Sequence, residues 1–416
     1  MLQMIDDRGT GPGAVVINRA DYIAPAYWID TVDLCFDLDP VKTRVLNKMT
    51  LRRNPEVAAQ ALKLDGEELN LARVLVNGQG TSFKMEGHSL VLENLPSGAE
   101  PFELEIFTTT CPSNGPGGTG ALSILLNVLS RARPGGKIWI SDPSWPNHWP
   151  MAELVGLKPQ YYPYFDAESR SVDFPAMLKT LDSLGPNDIV LLHACCHNPT
   201  GANLTDAQWD QVAASLKKTG AFPLLDLAYL GFGNGIEEDA YGVRKVVTTV
   251  PESMIAFSGS KNFGLYRERA GVAIAIAKDA ASADIVSSQM QNVIRATISQ
   301  PPDHGAEIIR VILEDKELRA EWKAELEQMR TRMIRLRKKL VDAIRERSNS
   351  TDYDFIAEHR GMFSLLGLPH DVVEKLKLED GVYMINDSRI NVAGIPEDRV
   401  GELADALLAA VKSAGN

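Results

Sequence analysis

The run Ser258-Gly259-Ser260-Lys261-Asn262-Phe263-Gly264-Leu265-Tyr266-Arg267-Glu268-Arg269-Ala270-Gly271 sets one lysine among small hydroxyl residues and glycines, directly after the apolar stretch Met254 to Phe257. An amine that is to attack a carbonyl must be unprotonated near neutral pH, and burial beside another cation, here Arg269, lowers a lysine pKa towards that range. Position alone leaves Lys261 a solvated surface charge. A second run, Gly115-Pro116-Gly117-Gly118-Thr119-Gly120-Ala121-Leu122, opens a helical pattern. Its free amides and the Thr119 hydroxyl suit a phosphate at the positive end of a helix dipole.

Taken with its spacing, Ser258-x-Ser260-Lys261-Asn262-Phe263-Gly264-Leu265-Tyr266-x-Glu268-Arg269-x-Gly271 resembles the lysine segment of the aspartate and aromatic aminotransferases, fold-type I enzymes that use pyridoxal phosphate. Three more blocks match that family in the same order: Asp142-Pro143-Ser144-Trp145-Pro146-Asn147-His148, His193-Ala194-Cys195-Cys196-His197-Asn198-Pro199-Thr200-Gly201 and Ser388-Arg389-Ile390-Asn391-Val392-Ala393-Gly394. The resemblance runs from about Gly115 to the C-terminus.

The resemblance implies transamination between an L-amino acid (aspartate, glutamate or aromatic) and a 2-oxo acid, with a role for each matched residue. Lys261 would carry the cofactor on its amine and later shuttle the substrate's proton. Asp226 would face the pyridine nitrogen with His148 behind it, Tyr229 and Asn198 would bond the ring oxygen, and Trp145 would stack on the ring. Gly117, Gly118, Thr119, Ser258, Ser260 and Arg269 would cup the phosphate. Arg389 would fork onto the substrate's α-carboxylate, assisted by Trp145 and Asn198, and Arg295 would reach a distal carboxylate across a homodimer interface. Without the matching blocks, Asp226 reads as a strand-end carboxylate, Trp145 as a core residue and Arg295 as a surface helix arginine.

A chain of 416 residues has room for two or three domains, and 44% apolar with 24% charged residues is ordinary for a soluble globular protein. The net charge of -12 argues against nucleic acid or an anionic membrane as partner. Cys35, Cys111, Cys195 and Cys196 lack metal-binding spacing and fit a reducing cytoplasm. His193 and His197 read as packing groups, so no metal is expected. No signal-peptide core or membrane-length run is visible, so an intracellular protein is expected.

The elements that must position these residues alternate from Gly115 onward. Strand-like runs at 137–140, 188–193, 222–226, 254–257 and 272–277 interleave with helical stretches at 121–130, 206–218 and 279–296, which predicts a mostly parallel sheet with helices on both faces. An amphipathic helical stretch from 306 to about 347 leads into a smaller α/β domain. The expected domains are 1–110, 111–320 and 321–416.

The first 110 residues differ. Residues 1 to about 18 read as disordered, and then Val32, Leu34, Phe36 and Leu38 alternate with Asp33, Cys35, Asp37 and Asp39 as in a half-buried strand. Short strands follow at 73–76, 89–92 and 102–107, with Asn77-Gly78 as a turn, giving an antiparallel β unit. Tyr22-x-Ala24-Pro25-x-Tyr27, Phe36-Asp37-Leu38-Asp39, Leu64-Asp65-Gly66-Glu67-Glu68-Leu69 and Leu92-Glu93-Asn94-Leu95-Pro96 resemble the opening β domain of bacterial aminopeptidase N. No HExxH accompanies them, so peptidase chemistry is excluded. This unit stands where the aminotransferases have an arm that clasps the dimer, so a second reading is a chimera that binds cofactor with impaired turnover. The end of the unit, Glu105 to Thr110, is expected to fill the sheet slot that precedes the Gly117-Gly118-Thr119 turn.

Overall fold

Period-two patterning gives way to helical patterning near residue 115, and the computed structural model changes architecture there too. It describes residues 24–37, 43–58, 60–65, 70–86, 89–98, 100–110 and 117–414. These fall into two compact units, one within 1–114 and one within 115–416. The expectations for residues 1 to 18 and for Leu38 and Asp39 lie outside the described residues.

The first unit contains the strands β1 (Tyr27–Asp37), β2 (Thr43–Arg53), β3 (Leu62–Asp65), β4 (Asn70–Val76), β5 (Gln79–Gly80), β6 (Lys84–Glu86), β7 (Ser89–Leu92) and β8 (Phe102–Thr110). Among the described residues they form two antiparallel sheets, in the orders β1-β2-β8-β4-β5 and β3-β7-β6. Alternate residues point one way: Met49 and Leu51 on β2 lie opposite Leu104 and Phe102 on β8, and all four are buried with Val74, Leu90 and Leu92. Each such side chain contributes roughly 1.5–3 kcal/mol of burial free energy. Asn77 and Gly78 have φ of 48° and 76°, the left-handed pair of a tight hairpin turn.

Two expectations for this unit need correction. β1 forms, but among the described residues it is an outer strand paired with β2 alone, and Val32 stays 52% exposed instead of half-buried. Glu105 to Thr110 does not extend the later sheet. A strand has two hydrogen-bonding edges, and along Glu105–Thr110 one edge pairs with β2 and the other with β4.

In the second unit the chain runs through α1 (Gly118–Ala132), β9 (Lys137–Asp142), α2 (His148–Leu154), β10 (Lys158–Pro163), β11 (Phe165–Asp166), β12 (Ser171–Val172) and α3 (Phe174–Leu181). Next come β13 (Ile189–His193), α4 (Asp206–Thr219), β14 (Phe222–Leu227), α5 (Ile236–Asp239), α6 (Tyr241–Thr249), β15 (Ser253–Ser258) and β16 (Gly271–Ile276). The remainder is α7 (Ala280–Thr297), α8 (His304–Glu314), α9 (Lys316–Ser348), α10 (Phe355–Glu358), β17 (Phe363–Leu365), α11 (His370–Glu379), β18 (Arg389–Asn391) and α12 (Val400–Ala414).

The central sheet has the order β10-β9-β13-β14-β15-β16 among the described residues, parallel except for β16. Its inner strands are apolar on both faces. Ile189, Leu191, Leu224 and Met254 pack with Leu122, Leu125 and Leu129 of α1, while Val190, Leu192, Leu225 and Ile255 pack with Met177, Val212, Leu216 and Val246 of α3, α4 and α6. Such double burial is the mark of strands inside a parallel sheet. β10 carries Pro159 and Pro163, which an edge strand tolerates, and these prolines hid it in the sequence.

The helical stretch expected from 306 to 347 is two helices. Asp315 ends α8, and its carboxylate accepts from the amides of Glu317 and Leu318 to cap α9. Leu326, Met333, Leu336, Leu340 and Ile344 of α9 pack with Leu376, Ile390, Val392 and Leu407 in a third core. The border expected at 320/321 lies inside α9. No helix among the described residues is long and apolar enough to cross a membrane.

Candidate active site

Parallel register brings distant motifs to one edge of the sheet. His193 at the end of β13 is the partner of Asp226 on β14, and Asp226 is the partner of Ala256 on β15, two residues before Ser258. Trp145 and His148 follow β9, Asn198 follows β13, Tyr229 follows β14 and Lys261 follows β15. The carboxyl ends of parallel strands are where such folds place ligands. A cavity of about 210 Å³ opens there, lined by Gly118, Thr119, Leu122, Trp145, His193, Asn198, Asp226, Ala228, Tyr229, Ser258, Ser260, Lys261, Tyr266 and Arg269. Wider clefts beside Asp380 and beside Arg170, about 710 and 790 Å³, have no lysine in their lining.

Lys261 Nζ lies 4.8 Å from the centre of the Tyr229 ring. Burial lowers its pKa, Asp226 works against that, and Arg269 adds to it; the balance is downward, as a nucleophilic amine requires. Burial acts to raise the Asp226 carboxyl, but the His148 hydrogen bond and the positive charges around it outweigh burial, so the group stays below its ordinary value and ionised. Asp226 can only accept, so His148 Nε2 donates to its Oδ2 at 2.9 Å. The other nitrogen of the same ring, Nδ1, meets Ser144 Oγ at 2.9 Å, and Ser144 Oγ meets His193 Nε2 at 3.0 Å. Burial pushes His193 down to about 3.

Burial, with Asp226 adding to it, raises the Tyr229 phenol, which therefore remains a donor. Asn198 Nδ2 donates to the Tyr229 oxygen at 3.5 Å, and Asn198 Oδ1 accepts from Arg389 Nη1 at 2.5 Å. The Arg389 guanidinium lies 4.7 Å over the Phe363 ring.

The turn into α1 can only be glycine. Gly117 has φ of 66°, and a Cβ there would meet Arg269 Nη2 at 2.8 Å; a Cβ on Gly118 would meet that of Ser258 at 2.5 Å. The first amides of α1 are thereby held against Ser258, Ser260 and Arg269. Arg269 Nη1 donates to the carbonyl of Tyr266 at 3.0 Å and to Ser260 Oγ at 3.4 Å. Helix amides, two hydroxyls and a guanidinium in one hollow make a cradle for a dianion.

A family model for aminotransferase class I and II matches residues 115–407. The chain belongs to that family. An aminotransferase of this kind transfers amino groups with the help of pyridoxal phosphate. It is 50% identical over 292 residues to an aromatic-amino-acid aminotransferase of Paracoccus denitrificans, covering 70% of this chain and 74% of that one. It is 44% identical over 294 residues to an aspartate aminotransferase of Salmonella typhi, covering 71% and 74%. A solved aromatic-amino-acid aminotransferase from Burkholderia pseudomallei, covalently bound to pyridoxal phosphate, superimposes with a TM-score of 0.69 at 42% identity, covering 71% and 74%.

The site of this aminotransferase fits the cofactor by its donor set: an anion cradle, an ionised buried carboxylate near the carboxyl end of β14 and an amine of lowered pKa line one cavity. Gly117, His148 and Arg389 are outside the cavity lining but contact residues that form it, Arg269, Asp226 and Asn198. Arg295 is exposed on α7, also lies outside the lining, and donates to Ser299 Oγ at 3.1 Å. His197 packs rather than ligates, stacked on Tyr164 at 3.9 Å and bonded to Ser141 and Thr200. Cys195, Cys196 and Asp239 bring ligand-type atoms within 4.8 Å, but Asp239 accepts from the amides of Gly231, Gly233 and Asn234. Sequence reasoning missed Ser144, Tyr266 and Phe363, and it gave His193 no place beside Asp226. The strand ends carried that last signal, since both residues close apolar runs of similar length.

Proposed function

We propose that this aminotransferase takes the amino group from aspartate, glutamate or an aromatic L-amino acid and delivers it to a 2-oxo acid, with Lys261 as its working amine. The observation that carries the reading is the convergence of Lys261, Asp226 and Arg269 on one cavity with the lysine pKa lowered. Pyridoxal phosphate, when bound, supplies an electron sink for the pair left when the substrate's α-proton departs. The α1 amides, Thr119, Ser258, Ser260 and Arg269 would hold its phosphate. Asp226, steadied by His148, would keep its pyridine nitrogen protonated. Tyr229 and Asn198 would donate to its ring oxygen, and Trp145 would pack against the ring.

Arg389 grips the substrate's α-carboxylate in a bidentate fork, for which Asn198 holds the guanidinium in place. That grip presents the α-proton to the Lys261 amine, which takes it up unprotonated and returns it. Arg295 serves the site of a neighbouring subunit in a homodimer, where it meets a distal carboxylate; its exposure on α7 supports this. The curated names of the relatives, aromatic and aspartate, support the substrate range. Relatives named as enzymes also favour turnover over a binding remnant.

Residues 111–320 form the cofactor-holding domain and 321–416 the smaller domain with Arg389. The N-terminal unit is an appendage related to the opening β domain of bacterial aminopeptidase N. Its antiparallel sheets support that, and no residue singled out for chemistry falls within it. The protein works in the cytoplasm.

An absorbance spectrum of the chain with pyridoxal phosphate, before and after L-aspartate or L-phenylalanine, tests the reading beside Lys261→Ala. A lysine-dependent band that bleaches with amino acid is expected. A band that never bleaches refutes transamination, and one that survives Lys261→Ala refutes the assignment of the lysine.

A further inference from the structure

Lys261 rides on a single turn whose closure comes partly from outside it. Within the turn, the amide of Phe263 donates to the carbonyl of Gly259 at 3.3 Å and the amide of Gly264 to that of Lys261 at 3.0 Å. The carbonyl of Asn262 is instead bonded by Trp322 of α9, whose indole Nε1 donates to it at 2.7 Å. The Trp322 indole also stacks on the Phe263 ring, with centroids 4.4 Å apart and planes 3° from parallel. Asn262 is buried and its own Oδ1 has no hydrogen-bond partner among the described residues, so the hold on this turn comes from its backbone carbonyl.

The same helix reaches the other end of the site. Ten residues further along α9, about 15 Å, Arg332 donates to the carbonyls of Ala393 and Ile395, just beyond the strand that carries Arg389. Arg337, one and a half turns on, donates to the carbonyl of Phe363, the ring under Arg389. One continuous helix therefore touches the segments of both the amine and the guanidinium.

We propose that Trp322 is a positioning residue for Lys261: its indole N–H locks the lysine turn to α9 and so sets the amine in register with Arg389. This rests on the reading of Lys261 as the cofactor lysine. Removing the N–H leaves the Asn262 carbonyl buried and unpaired, a state that the turn relieves by opening to water. A better-hydrated Lys261 loses part of the burial that lowers its pKa.

The test is a pH titration of the absorbance of the full chain loaded with pyridoxal phosphate, together with the cofactor's dissociation constant and the melting temperature. Trp322→Phe keeps a ring against Phe263 and lacks the donor; Phe263→Leu removes the stacking and keeps the donor. For Trp322→Phe the titration midpoint is expected to rise by about half a pH unit or more, and the dissociation constant by about fivefold. For Phe263→Leu the melting temperature falls while the midpoint stays. A Trp322→Phe midpoint equal to that of the parent chain overturns the proposal, as does an equal shift in both variants, which would make the contact mere packing. A parent chain with no Lys261-dependent band fails earlier, at the assignment of the lysine itself.

Discussion

Replacing Gly271 with alanine puts a methyl group between two pieces of backbone that the site needs close together. A Cβ built there lies 2.6 Å from the carbonyl oxygen of Phe257, 2.7 Å from the carbonyl carbon of Gly117 and 2.9 Å from the amide nitrogen of Gly118. None of these atoms is the end of a flexible side chain, so relief means moving β16 off β15, where Gly271 pairs with Ser258, or moving the turn into α1. Opening 2.6 Å to an ordinary 3.4 Å displaces backbone by about 0.8 Å. Overpacking of this kind costs roughly 1–3 kcal/mol of stability. A displacement near 1 Å in a positioning element costs up to about a hundredfold in function. We therefore expect Gly271→Ala to weaken pyridoxal phosphate binding by about ten- to a hundredfold, measured by fluorescence titration, and to lower the melting temperature. Gly394→Ala is the control, since a Cβ there meets nothing within 4 Å. A Gly271→Ala protein that binds cofactor and melts like the control would refute the argument that the cradle depends on this close approach.

Two further outcomes follow from buried charge. Burial holds His193 down to about 3 and His359 to about 4, and lowers His197 well below its ordinary value of 6.5. The unfolded chain thus takes up protons below about pH 6.5 that the folded chain refuses, and stability is full above that pH and falls as pH drops towards 4. Each histidine contributes a slope of up to about 1.4 kcal/mol per pH unit, and urea midpoints at pH 7, 6 and 5 check the direction; a flat profile refutes it. Arg337 is 1% exposed and donates to the carbonyls of Ile356, Gly361 and Phe363 and to Ser364 Oγ, so Arg337→Ala takes the guanidinium from three carbonyls and leaves Ser364 Oγ with His359. A loss of roughly 3 kcal/mol or more is expected in urea unfolding, with little rescue by lysine, which lacks the planar fork.

The sequence made some of this legible and hid the rest for physical reasons. Lys261, Asn198 and Arg389 were readable because each sits in a dense block of unusual residue types, and Asp226 because it stands near the end of an apolar run. β2 has no such signature: Thr43–Arg53 mixes Arg44, Asn47, Lys48 and Arg52 with its buried Met49 and Leu51, so its period-two pattern is diluted. The fate of Glu105 to Thr110 was misread because the strand's composition does not say which edges will be satisfied, and β2 and β4 pair with both. The break between α8 and α9 depends on one carboxylate, Asp315, that also fits the polar face of a single long helix. Trp322 and Arg337 looked like members of an amphipathic stripe, and only the placement of α9 gives them partners at Asn262 and Phe363.

The alignment of strand ends has a consequence for how this molecule is assembled. Gly118, Trp145, Asn198, Asp226, Lys261 and Arg389 are spread over some two-thirds of the chain, and none of them finds its neighbours through local sequence. The site therefore exists only where these long-range pairings are made, the kind of contact that makes folding slow. A cofactor held as proposed would touch residues of α1, β14 and β15 at once, and would bind the native state alone. At a hundred times its dissociation constant such a ligand adds about 2.7 kcal/mol to the stability of the fold, so occupancy and survival of this chain in the cell rise and fall together.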